Sequence, residues 1–348
     1  MKGEEKENQV NKILITGITG FAGSHLADYC LNEKDQVFGT CRWRSDLKNI
    51  RHILDKITLI ETDIRDAVSV RKAVAQVNPD IVFHLAAQSF VPTSWHAPEE
   101  TLTTNILGTL NILEAVKDFN KDIKILVAGS SEEYGLVHQE EIPIRETNPL
   151  KPLSPYGVSK VGQDLLTYQY FKSYNLNVVR TRAFNHCGAR RPTAFVISGL
   201  VNSFVSAYFD RDKGKLYKIK HGNLDAIRDF THVKDTVKAY YLLGINCHLP
   251  TIKGEVFNIC TGMGYSIKEI LNKIIREFDI NLNYGLQEGR HYVLEPNSKH
   301  MRPSDVPILI GDYSKLLGIS NWCPTESVDF IIRDLIKYHF ERRQNNDD

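Results

Sequence analysis

The sequence predicts a doubly wound α/β fold, a parallel sheet with helices on both faces, followed by a smaller and more irregular C-terminal lobe. Three observations point there. Short apolar strands alternate with helical patterns through the first half of the chain. Those strands read as continuous apolar runs, the pattern expected when both faces of a sheet are buried. A glycine-rich turn separates the first strand from the first helix. At 348 residues the chain is long enough for one large domain or two, and 42% hydrophobic with 24% charged residues is ordinary for a globular protein.

Residues 12–16 (KILIT) form the first strand and 21–31 a helix. Strands follow over 36–40, 58–61 and 80–85, with a helix over 68–77 before the last of them. A long amphipathic helix is expected over 101–119, then strands over 123–128 and 178–182. Ser154-Pro155 marks a helix start, serine as N-cap and proline at the first helical position. Past Arg182 the regularity weakens. Residues 185–192 read as a loop, 195–209 as a helix and 255–260 as a strand. Ser266-Ile267-Lys268-Glu269 is a capping box opening another helix. Residues 296–307 are loop-rich, and 328–340 form a final helix.

The net charge of +1 gives no reason to expect nucleic acid or a membrane surface as partner. No apolar run is long enough to cross a bilayer. Residues 1–11 are polar and charged, unlike a signal peptide, and read as a loose tail. The six cysteines show no Cys-x-x-Cys or zinc-type spacing and are expected to be reduced thiols of a cytoplasmic protein. The twelve histidines form no His-x-x-x-His or His-Glu-x-x-His pattern, so no metal site is expected.

Gly17, Gly20 and Gly23, with Thr19 and Phe21 between them, lie between the first strand and first helix. Glycines let the backbone approach a pyrophosphate, and a helix N-terminus offers N–H donors and the positive end of its dipole. In the first βαβ unit this is a Rossmann-type dinucleotide site. An acidic residue after the second strand would bond a ribose 2′-hydroxyl. Here Cys41-Arg42-Trp43-Arg44-Ser45 stands instead, and the guanidinium groups of Arg42 and Arg44 suit a 2′-phosphate. NADP is therefore expected, with NAD as the alternative. Asp63 and Ile64, after the third strand, are expected near the adenine.

Tyr156 and Lys160 share one helix face, a turn apart. A lysine cation there favours the phenolate and lets the tyrosine exchange a proton with a sugar hydroxyl. Ser130 could hydrogen-bond the same oxygen. Glu132 beside it could serve as base for an acidic C–H, which a dehydratase needs and a simple reductase does not. Glu133 is expected to point elsewhere, because neighbouring residues diverge at a strand end.

These residues resemble the extended short-chain dehydrogenase/reductase superfamily and, within it, the GDP-sugar branch. The resemblance runs from Lys12 to about Lys337. It rests on Thr16 to Gly23, on His84-Leu85-Ala86-Ala87-Gln88, and on Ser154-Pro155-Tyr156-Gly157-Val158-Ser159-Lys160. Later matches are Phe184-Asn185-His186, Gly222-Asn223-Leu224-Asp225, Arg228-Asp229-Phe230 and Arg302-Pro303-Ser304-Asp305-Val306. Arg42 to Ser45 and Ala189-Arg190-Arg191-Pro192 look more like the dehydratases of this branch than its 4-ketoreductases. The departures are Cys187-Gly188-Ala189, where dehydratases of GDP-mannose usually carry Glu-Ser-Pro, and Ser130, where they usually carry threonine. Both fit a relative acting on a GDP-manno-heptose.

The resemblance implies a GDP-sugar 4,6-dehydratase with internal hydride transfer through bound NADP; a 4-ketoreductase of the GDP-4-keto-6-deoxymannose type is the alternative. It implies Ser130, Glu132, Tyr156 and Lys160 as the catalytic set, with Leu85 and Ala87 joining the glycine turn at the cofactor. Asn185, Arg191, Asn223, Arg228, Arg302 and Asp305 would bind the substrate, and Asp225 with Asp305 would meet ribose hydroxyls. It implies residues 12–183 with 226–262 as the dinucleotide-binding domain and 184–225 with 263–340 as the substrate lobe. It also implies a homodimer or homotetramer, with the helix bearing Tyr156 and the 101–119 helix as candidate interface.

Overall fold

The computed structural model describes residues 10–214, 216–282, 284–297 and 304–345. The chain divides into two compact units. The first takes in the described residues up to Glu133, then Ser154–Arg182 and Val237–Phe257. The second takes in Tyr134–Leu153, Ala183–Thr236 and the described residues from Asn258 onward.

The first unit is a Rossmann-type α/β layer structure. Its strands are β1 (Lys12–Thr16), β2 (Gln36–Cys41), β3 (Thr58–Glu61), β4 (Ile81–His84), β5 (Lys124–Ser130) and β6 (Asn177–Ala183), with β10 (Val256–Ile259) completing the sheet. The seven strands lie in the order β10-β6-β5-β4-β1-β2-β3. The pairs β1–β2, β1–β4, β2–β3 and β4–β5 are all parallel. The order reverses between β1 and β4, the switch point at which such sheets bind ligands beyond their carboxyl ends. Helices α1 (Phe21–Asn32), α2 (Ala67–Val77), α3 (Val91–His96), α4 (Pro98–Leu102), α5 (Gly108–Phe119) and α6 (Pro155–Tyr174) make the crossovers. Leu14, Val82, Ile125 and Val178 of four strands pack with Val70 and Val74 of α2 and Ile112 and Val116 of α5. A sheet covered in this way needs unbroken apolar strands, which is what the sequence supplies.

The expected helix over 101–119 is corrected. The helical run starts at Pro98 and is widened by a π-turn over Thr103–Leu107 before α5 begins. Asn105 gives the reason. Its Oδ1 accepts from the Gln88 N–H at 2.8 Å, and its Nδ2 donates to the Gln88 carbonyl at 3.0 Å and to Ser159 Oγ at 2.8 Å. A widened turn at such a network is a recurrent feature of functional sites. The amphipathic pattern continues across it and carries no trace of it. Asn11, assigned from sequence to the loose tail, is held by Asp35, which accepts from its N–H at 3.1 Å and its Nδ2 at 2.8 Å. The rest of that tail, apart from Val10, lies outside the described residues.

The second unit holds β7 (Asn185–Cys187), α7 (Val196–Asp210), β8 (Tyr217–His221), β9 (Ile227–His232), β11 (Gly264–Ser266), α9 (Ile267–Arg276), β12 (Tyr292–Pro296), β13 (Ile308–Leu309), α10 (Ser314–Ser320) and α11 (Val328–Gln344). Helix α8 (Val233–Ile245) follows β9 directly. A small mixed sheet runs β11-β9-β13, with β7 also on β9, and β8 pairs with β12. The expected loop over 185–192 is thus corrected at its start: Asn185, His186 and Cys187 pair with Phe230, Thr231 and His232. Three residues are too few for a period to show. Ser266 caps α9, its Oγ accepting from the Glu269 N–H at 3.1 Å, while Glu269 accepts in return from the Ser266 N–H at 2.7 Å. Among the described residues, no helix is long and apolar enough to cross a membrane.

Candidate active site

The glycine turn is built for close approach. Gly17 has φ +74°, and a Cβ there would lie 2.9 Å from Ala86 Cα; a Cβ on Gly23 would lie 2.2 Å from the Gly17 carbonyl oxygen. The Gly20 N–H donates to that oxygen at 3.0 Å, closing the turn. Gly20 then stands at the N-cap of α1 with no side chain to cap it, which leaves the helix start shaped for a phosphate group. Thr16 ties the neighbouring strand end in, its Oγ1 accepting from the N–H groups of Leu85 and Ala86 at 3.1 and 3.2 Å. The Thr19 carbonyl accepts from Asn49 at 3.0 Å. These features fit a dinucleotide pyrophosphate.

Beyond β2 the chain makes a tight turn, with Arg42 and Ser45 exchanging bonds of 3.0 Å. Arg42 and Arg44 are exposed, and Arg44 lies over the Trp43 ring at 4.2 Å. Asp63 accepts from the Arg65 guanidinium at 2.6 to 3.1 Å, which holds its carboxyl below the usual range. Ile64 is buried, with its side chain against Gly108.

Ser130 ends β5, Glu132 lies in the short 3₁₀ turn that follows, and Tyr156 and Lys160 lie on α6. Serine capping sets the phase of α6: Ser154 Oγ accepts from the Gly157 N–H at 3.0 Å. Tyr156 and Lys160 are 7% and 4% exposed, so neither meets bulk water. Burial raises the Tyr156 phenol; the hydrogen bond with Ser130 works to lower it, and the nearby Glu132 carboxylate raises it further. Lys160 Nζ donates to the Ala128 carbonyl at 2.8 Å and to Gln163 Oε1 at 2.9 Å, and lies 5.9 Å from the Tyr156 ring centroid. Burial pushes this amine down to about 8, against the attraction of Glu133. Of the pair, only the Lys160 amine is brought toward neutral pH; the Tyr156 phenol is held up. His84 is fully enclosed between Thr16 Oγ1 at 2.8 Å and Thr109 Oγ1 at 3.0 Å; burial drives it down to about 3 and keeps it neutral.

Sequence reasoning missed the layer beneath this set. Glu133, Asp164, Arg180 and Arg182 form a buried ion network, with Arg182 Nε 2.9 Å from Glu133 and 3.0 Å from Asp164, and Arg180 paired to Asp164. The spacing Ser130-x-x-Glu133, a capping-box pattern, was the available signal.

In the second unit, three expected substrate residues come together. Asp305 accepts from Arg228 Nη2 at 3.0 Å and from Asn223 Nδ2 at 3.1 Å. Arg191 stacks on Phe195 at 3.5 Å, and Asn185 is half-buried on β7. Asp225 N–H donates to Asn223 Oδ1 at 3.0 Å. Arg302 lies outside the described residues. The segment after β7 is closely built: Gly188 has φ +149° and would set a Cβ 2.9 Å from Val233, and the Ala189 N–H donates to Asp334 at 2.7 Å.

Residues 14–335 match the family model for GDP-mannose 4,6 dehydratase. The GDP-mannose 4,6 dehydratase of Homo sapiens is 33% identical over 358 aligned residues, covering 97% of this chain and 93% of that protein. Among solved structures, UDP-glucose 4-epimerase of Thermotoga maritima with UDP-glucose superposes with a TM-score of 0.79 at 26% identity, covering 95% of this chain and 99% of the other. RMD from Pseudomonas aeruginosa complexed with NADPH gives 0.76 at 25% identity, covering 96% and 100%. A match over nearly the whole chain, on a sheet with the glycine turn and the Tyr156–Lys160 helix in place, leads to one conclusion: the chain belongs to the GDP-mannose 4,6-dehydratase family, and with it to the lyases.

Proposed function

We propose that the protein is a GDP-sugar 4,6-dehydratase that binds a nicotinamide cofactor, NADP in preference to NAD, and turns GDP-mannose or a GDP-manno-heptose into the 4-keto-6-deoxy sugar. The observation that carries the reading is Glu132, a half-buried carboxylate close enough to Tyr156 to raise the phenol. A ketoreductase has no use for a base in that place. Family membership supports the GDP-sugar, and the exposed Arg42 and Arg44 support a 2′-phosphate on the cofactor. The structures of RMD with NADPH and of UDP-glucose 4-epimerase of Thermus thermophilus with NAD supply the precedent for each cofactor.

The glycine turn would hold the cofactor pyrophosphate, and the nicotinamide would supply reversible hydride acceptance, so that C4 is oxidised, C6 reduced and the cofactor unchanged overall. Tyr156 takes the proton of the C4 hydroxyl, with Ser130 orienting that oxygen and Lys160 stabilising the phenolate. The 4-ketone acidifies the C5–H, and Glu132 removes that proton. Hydroxide leaves C6 and takes the proton held on Glu132, so that water is released, and once C6 is reduced the proton held on Tyr156 goes to C5. In the second unit Asn185, Arg191, Arg228 and Arg302 would hold the nucleotide diphosphate, Asp225 and Asp305 would meet ribose hydroxyls, and Asn223 would join them in binding the substrate. The closely built Cys187-Gly188-Ala189 segment is our candidate for selecting heptose over hexose. On this reading the first unit serves the cofactor and the second the sugar nucleotide.

We also propose that two copies pair through α6, which leaves Val158, Leu165 and Tyr168 at 48%, 54% and 40% exposure on one face.

The test is incubation with GDP-mannose and, separately, GDP-manno-heptose without reduced cofactor, followed by mass spectrometry. Loss of one water is expected. Glu132→Gln should still exchange hydride at C4 yet release no water. Unchanged sugars, together with NADPH consumption when a 4-keto-6-deoxy sugar is supplied, would move the assignment to the ketoreductase.

A further inference from the structure

We propose that Glu133 is a positioning residue of this site: its carboxyl holds the Ser130 N–H and is itself held by Arg182, and this fixes where the Ser130 hydroxyl meets Tyr156. The inference rests on the dehydratase reading above for its kinetic consequence and on the geometry alone for its structural one.

Glu133 Oε1 accepts from the Ser130 N–H at 2.8 Å, reaching back three residues, while Ser130 Oγ accepts from the Glu132 N–H at 3.2 Å. This is a reciprocal cap on a single 3₁₀ turn. It sets the backbone of the residue whose hydroxyl bonds Tyr156. Glu133 has no exposure at all, and the space above it is closed. A Cβ on Gly129 would lie 2.4 Å from Glu133 Oε1 and 2.3 Å from the Thr181 carbonyl oxygen. Only glycine at 129 leaves room for the carboxyl to sit there.

The other carboxyl oxygen accepts from Arg182 Nε at 2.9 Å. Arg182 also meets Asp164 through Nε and Nη2, both at 3.0 Å, and Arg180 binds Asp164 from the other side while giving its Nη2 to the Gly254 carbonyl at 2.8 Å. Asp164 lies on α6, one turn beyond Lys160 and two beyond Tyr156. The network therefore links the end of β5, the strand β6 and the helix α6, two of which carry the proposed catalytic groups. Burial of two carboxyls and two guanidiniums is a poor route to stability, because apolar residues of similar volume usually do as well or better. A fixed geometry at Ser130 is what such a network can add.

The protonation states agree with this arrangement. Burial and the neighbouring Asp164 push Glu133 well up, while Arg182 pulls it back down. Burial works to raise Asp164 too, but Arg182 and Arg180 outweigh it and hold that carboxyl down. A glutamine at 133 keeps an acceptor for the Ser130 N–H, while its amide N–H₂ replaces the oxygen that Arg182 Nε binds and leaves Arg182 to Asp164.

The experiment compares Glu133→Gln, Glu133→Asp and the double variant Glu133→Leu/Arg182→Leu, which removes the pair without stranding a charge. kcat and KM for GDP-mannose dehydration, thermal unfolding, and crystal structures of each are measured. Glu133→Gln is expected to retain most of the wild-type kcat. Glu133→Asp, one methylene short of the Ser130 N–H, and the double variant should lose roughly 10²-fold in kcat with KM little changed, the scale of a misplacement of about 1 Å. In both, Ser130 Oγ should sit away from the Tyr156 oxygen. Wild-type kcat, or an unmoved Ser130–Tyr156 pair, in either folded variant would overturn the proposal. Should the double variant not fold, Glu133→Asp decides. A wild-type protein that leaves GDP-mannose intact would sink the dehydratase reading alone, since the crystal structures would still decide Glu133.

Discussion

Lys160 is a cation whose surroundings work against its charge. It has two acceptors and almost no water, and burial brings it down to about 8 from the ordinary 10.5. Its proton is therefore lost as pH rises through about 8, and kcat/KM is expected to fall over that range if the phenolate depends on it. The stability consequence has the opposite sign. Between about 8 and 10.5 the unfolded chain binds the proton that the folded protein has released, so Lys160 contributes rising stability with pH there. A pH–rate profile alongside urea melts at several pH values separates the two. The catalytic candidates were legible because each sits in a short pattern with its own chemistry. The Glu133–Arg182 pair was not, because the partners are 49 residues apart and the Ser130-x-x-Glu133 spacing marks only the cap.

Asp229 shows the same problem at the scale of an element. It looks like part of a charged motif, yet it is 1% exposed and ties β9 to two chain turns. It accepts from the Thr261 N–H at 2.8 Å, Thr261 Oγ1 at 2.6 Å, the Gly262 N–H at 2.9 Å and the Gly311 N–H at 3.4 Å. Asp229→Asn turns an amide N–H₂ toward some of those donors and is expected to cost about 3 kcal/mol, read by denaturant unfolding. Elements with a clear local signal were readable from sequence: β1 and β3 run as expected, and α6 starts at Ser154-Pro155. Their signals are strong because period, cap and burial agree. The π-turn at Asn105 and the three-residue β7 were not, since the first is imposed by side chains from elsewhere and the second by a neighbouring strand.

At the scale of the whole molecule, helix α6 carries three exposed apolar residues on one face. The exposed stripe at Val158, Leu165 and Tyr168 predicts self-association. Leu165→Glu, which sets a charge in the middle of the stripe, is expected to shift the protein toward monomer in light scattering with its melting temperature little changed. Fold class followed from alternation of elements; strand order did not, since alternation leaves open which neighbour each crossover returns to.

The place of β10 at one end of the seven-stranded sheet has a consequence for synthesis on the ribosome. The Arg180 N–H donates to the Glu255 carbonyl at 2.9 Å, and the Gly254 N–H donates to the Val178 carbonyl. Until residues 254–259 emerge, β6 has been translated but presents one side with no partner, the state most open to pairing with a foreign strand. The glycine turn at the N-terminus is thus made early, while the sheet that supports it is closed only after much of the second unit's chain has already left the tunnel.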